Sequence, residues 1–414
     1  VIQNIEKGHK NKNTNPDSAI FYYQKAYQTL QDIIKDQELS SSVKTKLNLM
    51  EAKVLRYTGL PYNNIGNFEK AIHFFSKAAK KYKSVKETGE KNEIKICKGI
   101  AACYDNIGIS YAIQGNYDKA AAYFLKSLEI YKELSKASPE DKEIEGKAGM
   151  ARSYIKLGIV YWNLGNYDSA SVYYSKSLKI FKDVDNKEGV FTCYNNIGNV
   201  FSNKGDFAKA IESYIKALKI AEELNNSRKI FQCYNNIGLI HIEQKNYDQA
   251  MEYFTKSLAI TKEINDKRGV SLCYGNIAKI LYEKHRYDEA IENYLKALKI
   301  EKKLKDINRL AELYNNLGNT YKDKGDYAKT LEYFQKTLEI DLATGNKNGI
   351  AISYGNLALL NSLLADSIND ANERKRRLKK AVEYGKKSLS LAREIDAYPT
   401  INEASRVLML TYKK

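Results

Sequence analysis

An all-α fold of stacked antiparallel helix pairs, an α-solenoid, is what this 414-residue sequence predicts. One five-residue phrase returns every 40 residues through the second half of the chain. Each period contains two stretches whose apolar residues recur at helical steps. Only 4 prolines interrupt the whole chain.

The phrase is Tyr194-Asn195-Asn196-Ile197-Gly198, then Tyr234-Asn235-Asn236-Ile237-Gly238, Tyr274-Gly275-Asn276-Ile277-Ala278, Tyr314-Asn315-Asn316-Leu317-Gly318 and Tyr354-Gly355-Asn356-Leu357-Ala358. Its small last residue can be followed backward to Gly158, to Gly108 and to Gly59. A fixed period of about 20–50 residues marks a stacked-repeat protein. The register predicts about nine helical pairs in a single array over residues 1–414, incomplete at both ends.

Taken in order, Asn15-Pro16 supplies a cap and a first-turn proline for a helix whose Ala19, Tyr23 and Ala26 match the second half of a unit. Pro61 falls inside an early first helix and is expected to kink it or force an irregular turn. In a typical unit, Tyr194, Ile197 and Phe201 form one stripe, and Phe207, Ala210, Ile211, Tyr214, Leu218 and Ala221 form the next. Between them Gly205 can end the first helix in the left-handed conformation and Asp206 can cap the second. That turn returns as Gly115-Asn116, Gly165-Asn166 and Gly325-Asp326, whereas Lys245 and His285 stand in for the glycine elsewhere. Gly198, Ala210 and Ala217 leave room for close helix approach, with Tyr214 filling the space between. Thr330 and Thr337 replace the expected alanines of one unit. Extra residues, about Asp366 to Arg377, precede the point where the last second helix resumes at Ala381. At the end, Thr400 and Glu403 fit a capping box opening a helix striped by Ile401, Ala404, Leu408 and Tyr412. That helix has no partner in the sequence, which suggests a fragment of a longer protein or self-association through unfinished ends.

Small Gly198, aromatic Phe201, Ala210, aromatic Tyr214 and Ala217 fall at the spacing of the tetratricopeptide-repeat (TPR) signature. The sets Gly108/Tyr111/Ala120/Phe124, Gly158/Tyr161/Ala170/Tyr174 and Gly318/Tyr321/Phe334 repeat it. The chain resembles TPR proteins from about Asn15 to its last residue. Its period is longer than the usual length of about 34, and in this it is similar to the Pins/LGN spindle-orientation adaptors. It also resembles the TPR sensor regions that precede histidine kinases or DNA-binding regulators in Bacteroidetes. The resemblance implies a right-handed superhelix and a protein-interaction scaffold that binds extended peptides. The alternative it implies is the sensory or regulatory portion of a larger signalling protein.

Composition narrows the other classes. The 33 tyrosines against 12 phenylalanines suit side chains packed on one side and wet on the other. The net charge of +17 raises nucleic acid, an anionic surface or an acidic protein as partners. Its lysines interleave with glutamates, as in Lys299, Glu301, Lys302 and Lys303, which reads as a solvated helix face and argues against nucleic acid. The densest run is Arg374 to Arg377 with Lys379 and Lys380. Cys193, Cys233 and Cys273 recur at one register, which places them near 10 Å apart, beyond the roughly 7 Å limit for a disulfide. With Cys97 and Cys103 they read as reduced core residues and point to the cytoplasm; a signal removed upstream of Val1 would instead place the chain outside it. His9, His73, His241 and His285 lack metal-ligand spacing, and His241 occupies an aromatic slot. No phosphate loop, nucleophile elbow or zinc motif appears, so neither an enzyme nor a cofactor is expected. The longest apolar run, Leu357 to Ala365, is too short to span a membrane.

A stacked array presents the first helix of every unit along one concave surface. In peptide-binding TPR families an asparagine two residues before the small residue grips the ligand backbone. Here that position reads Asn106, Lys156, Asn196, Asn236, Asn276, Asn316 and Asn356. An amide can both donate to and accept from a peptide unit; the same residues could instead bridge neighbouring helices. Nearby groove positions are Asn199, Asn319, Lys279, Lys322, Trp162 and Tyr282, a set suited to an extended peptide with some acidic residues. Trp162 beside Lys156 is either an anchor for that peptide or ordinary helix packing.

Overall fold

The computed structural model describes residues 1–35, 39–87, 93–136 and 140–414, and among these it contains nineteen α-helices and no strand. They fall into two compact units, Val1–Leu224 and Asn225–Lys414. The first unit holds α1 (Ile2–Asn11), α2 (Pro16–Ile34), α3 (Ser41–Asn64), α4 (Phe68–Glu87), α5 (Glu93–Ile113), α6 (Tyr117–Leu134), α7 (Glu140–Asn163), α8 (Tyr167–Asp183), α9 (Lys187–Asn203) and α10 (Phe207–Glu223). The second holds α11 (Ser227–Glu243), α12 (Tyr247–Glu263), α13 (Lys267–Glu283), α14 (Tyr287–Leu304), α15 (Ile307–Lys324), α16 (Tyr327–Thr344), α17 (Lys347–Asp366), α18 (Ala371–Glu394) and α19 (Tyr398–Tyr412). Odd-numbered helices pair with the even-numbered helices that follow, giving five hairpins in the first unit and four, plus α19, in the second.

Turn chemistry sets each hairpin. Gly205 has φ 75°, its N–H returns to the Ser202 carbonyl at 3.0 Å, and the Asp206 carboxylate accepts from the Lys209 N–H at 3.2 Å. Lys245 (φ 60°) and His285 (φ 57°) hold the same conformation without glycine, at a cost of roughly 1–2 kcal/mol each. Helix approach is equally specific: a Cβ on Gly198 would lie 2.5 Å from the Tyr214 ring. Ala210 and Ala217 are fully buried around that ring. Thr330 and Thr337 tolerate the same burial because their hydroxyls donate to backbone carbonyls four residues back, Asp326 at 2.8 Å and Tyr333 at 3.0 Å.

Tyrosine and lysine usage has one explanation. The pairs Tyr161–Tyr173 and Tyr321–Tyr333 stack with ring centroids 5.3 and 5.5 Å apart, and His241 stacks on Tyr253 in the same slot at 5.5 Å. Lys336 lies over Tyr314 and Tyr333, 5.7 and 5.3 Å from their centroids, as Lys176 and Lys256 do over their own pairs. These lysines cover aromatic faces while their ammonium groups stay wet. All five cysteines are free and buried.

Several expectations are refined. A further helix precedes α2: α1 packs on it, and a Cβ on Gly8 would meet the Tyr23 ring at 2.4 Å. Its ten residues carry too few apolar positions to show a stripe. Pro61 lies inside α3, which continues to Asn64; in the last turn it removes one backbone bond near the terminus. The inserted residues mostly become helix, since Asp370 caps α18 through the Asn372 N–H at 3.0 Å. Glu373 there pairs with Arg376 and with Arg377 at 2.9 Å, neutralising part of the basic run. Finally, no capping box opens α19. That helix starts at Tyr398 with Pro399 in its first turn, so Thr400 is already helical, and Glu403 pairs with Arg406 at 2.6 Å.

Candidate functional site

The first helices of neighbouring hairpins meet through two successive residues, three and two positions before the small one. Asn276 Nδ2 donates to Asn235 Oδ1 at 3.1 Å, and Asn356 Nδ2 donates to Asn315 Oδ1 at 2.8 Å. Lys156 Nζ makes the same reach to Asp105 Oδ2 at 2.6 Å, a charged version of the bridge. Lys156 therefore continues the row of bridges with a charged side chain. Bridging depends on what the preceding hairpin offers. The counterpart of Asn316 is Gly275 and that of Asn196 is Ile155, so neither amide has a bridging acceptor, and neither side chain is hydrogen-bonded among the described residues. Asn236 is not free. The counterpart of Asn106 is Arg56, donor against donor: Asn106 Nδ2 and Arg56 Nε are both buried without a hydrogen-bond partner. The alternation at the preceding position thus decides which amides brace the stack.

Other expected residues divide similarly. Asn199 Oδ1 accepts from the Tyr214 hydroxyl at 2.7 Å and is committed to its own hairpin. In the equivalent place Asn319 has Phe334, which carries no hydroxyl, and its amide stays available. Asn319, Asn316, Lys279 and Tyr282 line a cleft of about 210 Å³ in the second unit. The Tyr282 hydroxyl donates to Asp323, and burial followed by that carboxylate raises its pKa. Lys322 lies 3.4 Å from Asp323. Trp162 is 37% exposed, so it is not simply packed away.

An apolar opening on these helices was missed by reading only polar groove positions. Ile109 and Ile113 of α5 and Ile159 and Val160 of α7 surround a cleft of about 360 Å³ floored by Phe124. Ile113 is 59% and Ile159 44% exposed. Lys156 lines the same cleft, beside Asp105, whose Oδ1 is buried and unpartnered. The signal was present in the sequence: Ile109 and Ile159 directly follow the small Gly108 and Gly158 in consecutive repeats, a position that is Asn or Lys in three other repeats and Leu at Leu60, Leu239 and Leu359.

A tetratricopeptide repeat model matches residues 149–223, 229–303 and 309–368, and a second tetratricopeptide repeat model matches 100–140. The chain belongs to the tetratricopeptide repeat family. No curated protein matches it. Among solved structures it is similar to a signal-transduction ATPase with numerous domains (STAND) bearing a TPR sensor, from Pyrococcus horikoshii. The TM-score is 0.58 at 18% identity, over 89% of this chain and 56% of that one. It is also similar to aspartyl phosphate phosphatase F from Bacillus subtilis, with TM-score 0.54 and 17% identity over 82% and 93% of the two chains. The apo quorum sensor NprR from B. thuringiensis gives 0.53 and 16% over 92% and 98%. At these identities the likeness establishes the fold. None of the described helices is long and apolar enough to cross a membrane.

Proposed function

We propose that the chain is a non-catalytic protein-interaction scaffold, and that the α5–α7 face of its first unit receives an extended segment of a partner polypeptide. The observation that carries this reading is the apolar cleft of Ile109, Ile113 and Ile159, open to solvent and bordered by the polar side chains of Lys156 and Asn163. An apolar side chain entering the cleft would gain about 1.5–3 kcal/mol from burial. In the second unit, Asn316, Asn319 and Lys279 offer a smaller polar subsite for such a segment, and the cations along both faces favour one with acidic residues.

The test uses the intact chain against an array of synthetic decapeptides with one central Leu, Phe or Ser. The reading expects retention of Leu or Phe members, weakened about tenfold or more by Ile113→Asp, which places a charge in the cleft. Retention unaffected by Ile113→Asp would refute it. The second reading, a sensory segment of a larger signalling protein, is supported by the presence of this fold in the sensor-bearing STAND protein and NprR. It would use the same face, and the reading frame on either side of the chain distinguishes the two.

A further inference from the structure

We infer that the middle of α3, the amino-terminal half of α5 and the first turns to the middle of α7 form a pocket for a phosphate monoester carried on the segment that occupies the apolar cleft. This rests on the scaffold reading and adds the chemistry of the ligand. The three helices are 24, 21 and 24 residues long, against 17 for α9, α11 and α13. They enclose an open pocket of about 660 Å³ lined by Lys53, Arg56, Lys95, Lys98, Arg152 and Glu145, of which Lys95 and Glu145 come from the added turns of α5 and α7. Five cations thus face one carboxylate, and that carboxylate is already shared: Glu145 Oε1 lies 3.0 Å from Lys98 Nζ and 2.9 Å from Arg152 Nη2.

Two tyrosines shape the floor. Each fits only because a glycine faces it: a Cβ on Gly99 would lie 2.5 Å from the Tyr82 ring, and one on Gly149 would lie 2.1 Å from the Tyr131 ring. Burial raises the pKa of both hydroxyls, so both remain protonated donors, while Arg56 beside Tyr82 and Arg152 beside Tyr131 act in the opposite sense. Arg56, on the pocket wall, sits beside the Tyr82 hydroxyl, and its Nε is buried without a hydrogen-bond partner. A guanidinium on the wall of such a pocket is a strong partner for an anionic oxygen, which it can meet with paired N–H groups.

Charge selects among anions. A carboxylate brings one negative charge to a site that already holds four more cations than carboxylates. A phosphate monoester brings about −1.5 to −2 and three acceptor oxygens, enough to engage Arg56, Arg152 and Lys98 together. Distance sets the register. Lys98 and Ile109 are eleven residues apart on α5, about 16 Å along a helix. An extended peptide covers that distance in about five residues. The ligand is therefore a segment with a phosphorylated residue about five positions from a large apolar one.

The test measures binding of fluorescein-labelled decapeptides to the intact chain. The probes carry phosphoserine, glutamate or serine five positions from leucine, with a phosphoserine–leucine spacing of two as the register control. The phosphoserine peptide should bind about tenfold tighter than its serine twin. Arg56→Gln or Lys98→Gln should remove most of that advantage, and circular dichroism checks their helicity; the Lys98 side chain is 47% exposed, so its replacement leaves the core intact. Lys179→Gln, on α8, should preserve the advantage. Free O-phosphoserine should compete only weakly, because the apolar anchor is missing; competition at the peptide's own affinity would overturn the peptide source. Equal binding of phosphoserine and serine peptides overturns the phosphate pocket and leaves the cleft reading standing wherever Ile113→Asp still weakens both. An advantage that survives Arg56→Gln and Lys98→Gln, or disappears in Lys179→Gln, also overturns it.

Discussion

Replacing Asn276 and Asn316 separately with alanine separates bracing amides from available ones. Asn276 gives a 3.1 Å hydrogen bond to Asn235 across two hairpins, whereas Asn316 faces Gly275 and its side chain has no hydrogen bond among the described residues. Losing a side-chain hydrogen bond of this kind costs about 0.5–1.5 kcal/mol. A half-exposed side chain with no partner costs within about 0.5 kcal/mol. Because repeat arrays unfold through neighbour-coupled units, one global midpoint averages the effect. Hydrogen exchange at amides of α11 to α13 localises it: Asn276→Ala should speed exchange there by roughly threefold to tenfold, the kinetic equivalent of that free energy. The Asn235→Ala/Asn276→Ala double-mutant cycle should show coupling of at least about 0.5 kcal/mol. Equal exchange in the Asn276→Ala and Asn316→Ala variants, or no coupling in the cycle, would refute the bridging rule.

Further expectations concern the hairpins and buried groups. Gly198→Ala should destabilise the first unit by about 1–3 kcal/mol, since its Cβ would overlap the Tyr214 ring, read as a lower denaturation midpoint. Lys245→Gly should raise the midpoint by relieving a left-handed lysine, by up to about 1 kcal/mol. Burial pushes the Cys193 thiol to about 11 and those of Cys103 and Cys273 to about 12. Native protein should therefore react negligibly with a thiol reagent at pH 8, and denatured protein should show five thiols. Asp341 is buried and its pKa is raised by that burial, despite a 2.9 Å hydrogen bond from Ser353. The folded state then binds its proton more tightly than the unfolded state, so stability falls as pH rises from the ordinary aspartate range through the raised value. Asp341→Asn should raise the melting temperature at pH 7 and change it little at pH 3.

The helical pairs were legible because three signals agree at one register: the Tyr-x-Asn phrase, the Gly-Asp or Gly-Asn turn, and the Ala/aromatic stripe of the second helix. Where one signal thinned, legibility failed. The α1 helix has a Gly8 in the small position but only Val1, Ile2 and Ile5 as apolar support. Pro61 looks disruptive in sequence, and its effect depended on how few residues of α3 followed it. The site was harder to read because one residue type did two jobs. Asn276 and Asn316 occupy the same position, yet the residue 41 places earlier, Asn235 or Gly275, decides whether each is used. Polar groove positions drew attention away from Ile109 and Ile159, and the pocket around Arg56 and Arg152 joins residues nearly a hundred positions apart.

The central claim, that the α5–α7 face receives an extended polypeptide, is tested most directly by site-specific photo-crosslinking. A benzoylphenylalanine at position 113, in the cleft, is compared with one at position 172 on α8, where Val172 is equally open to solvent but lies away from the cleft. With the phosphoserine–leucine decapeptide as probe, the account predicts an adduct from position 113 that excess unlabelled peptide suppresses, and none from position 172. Equal adducts from both positions, or an adduct from position 172 alone, would contradict it.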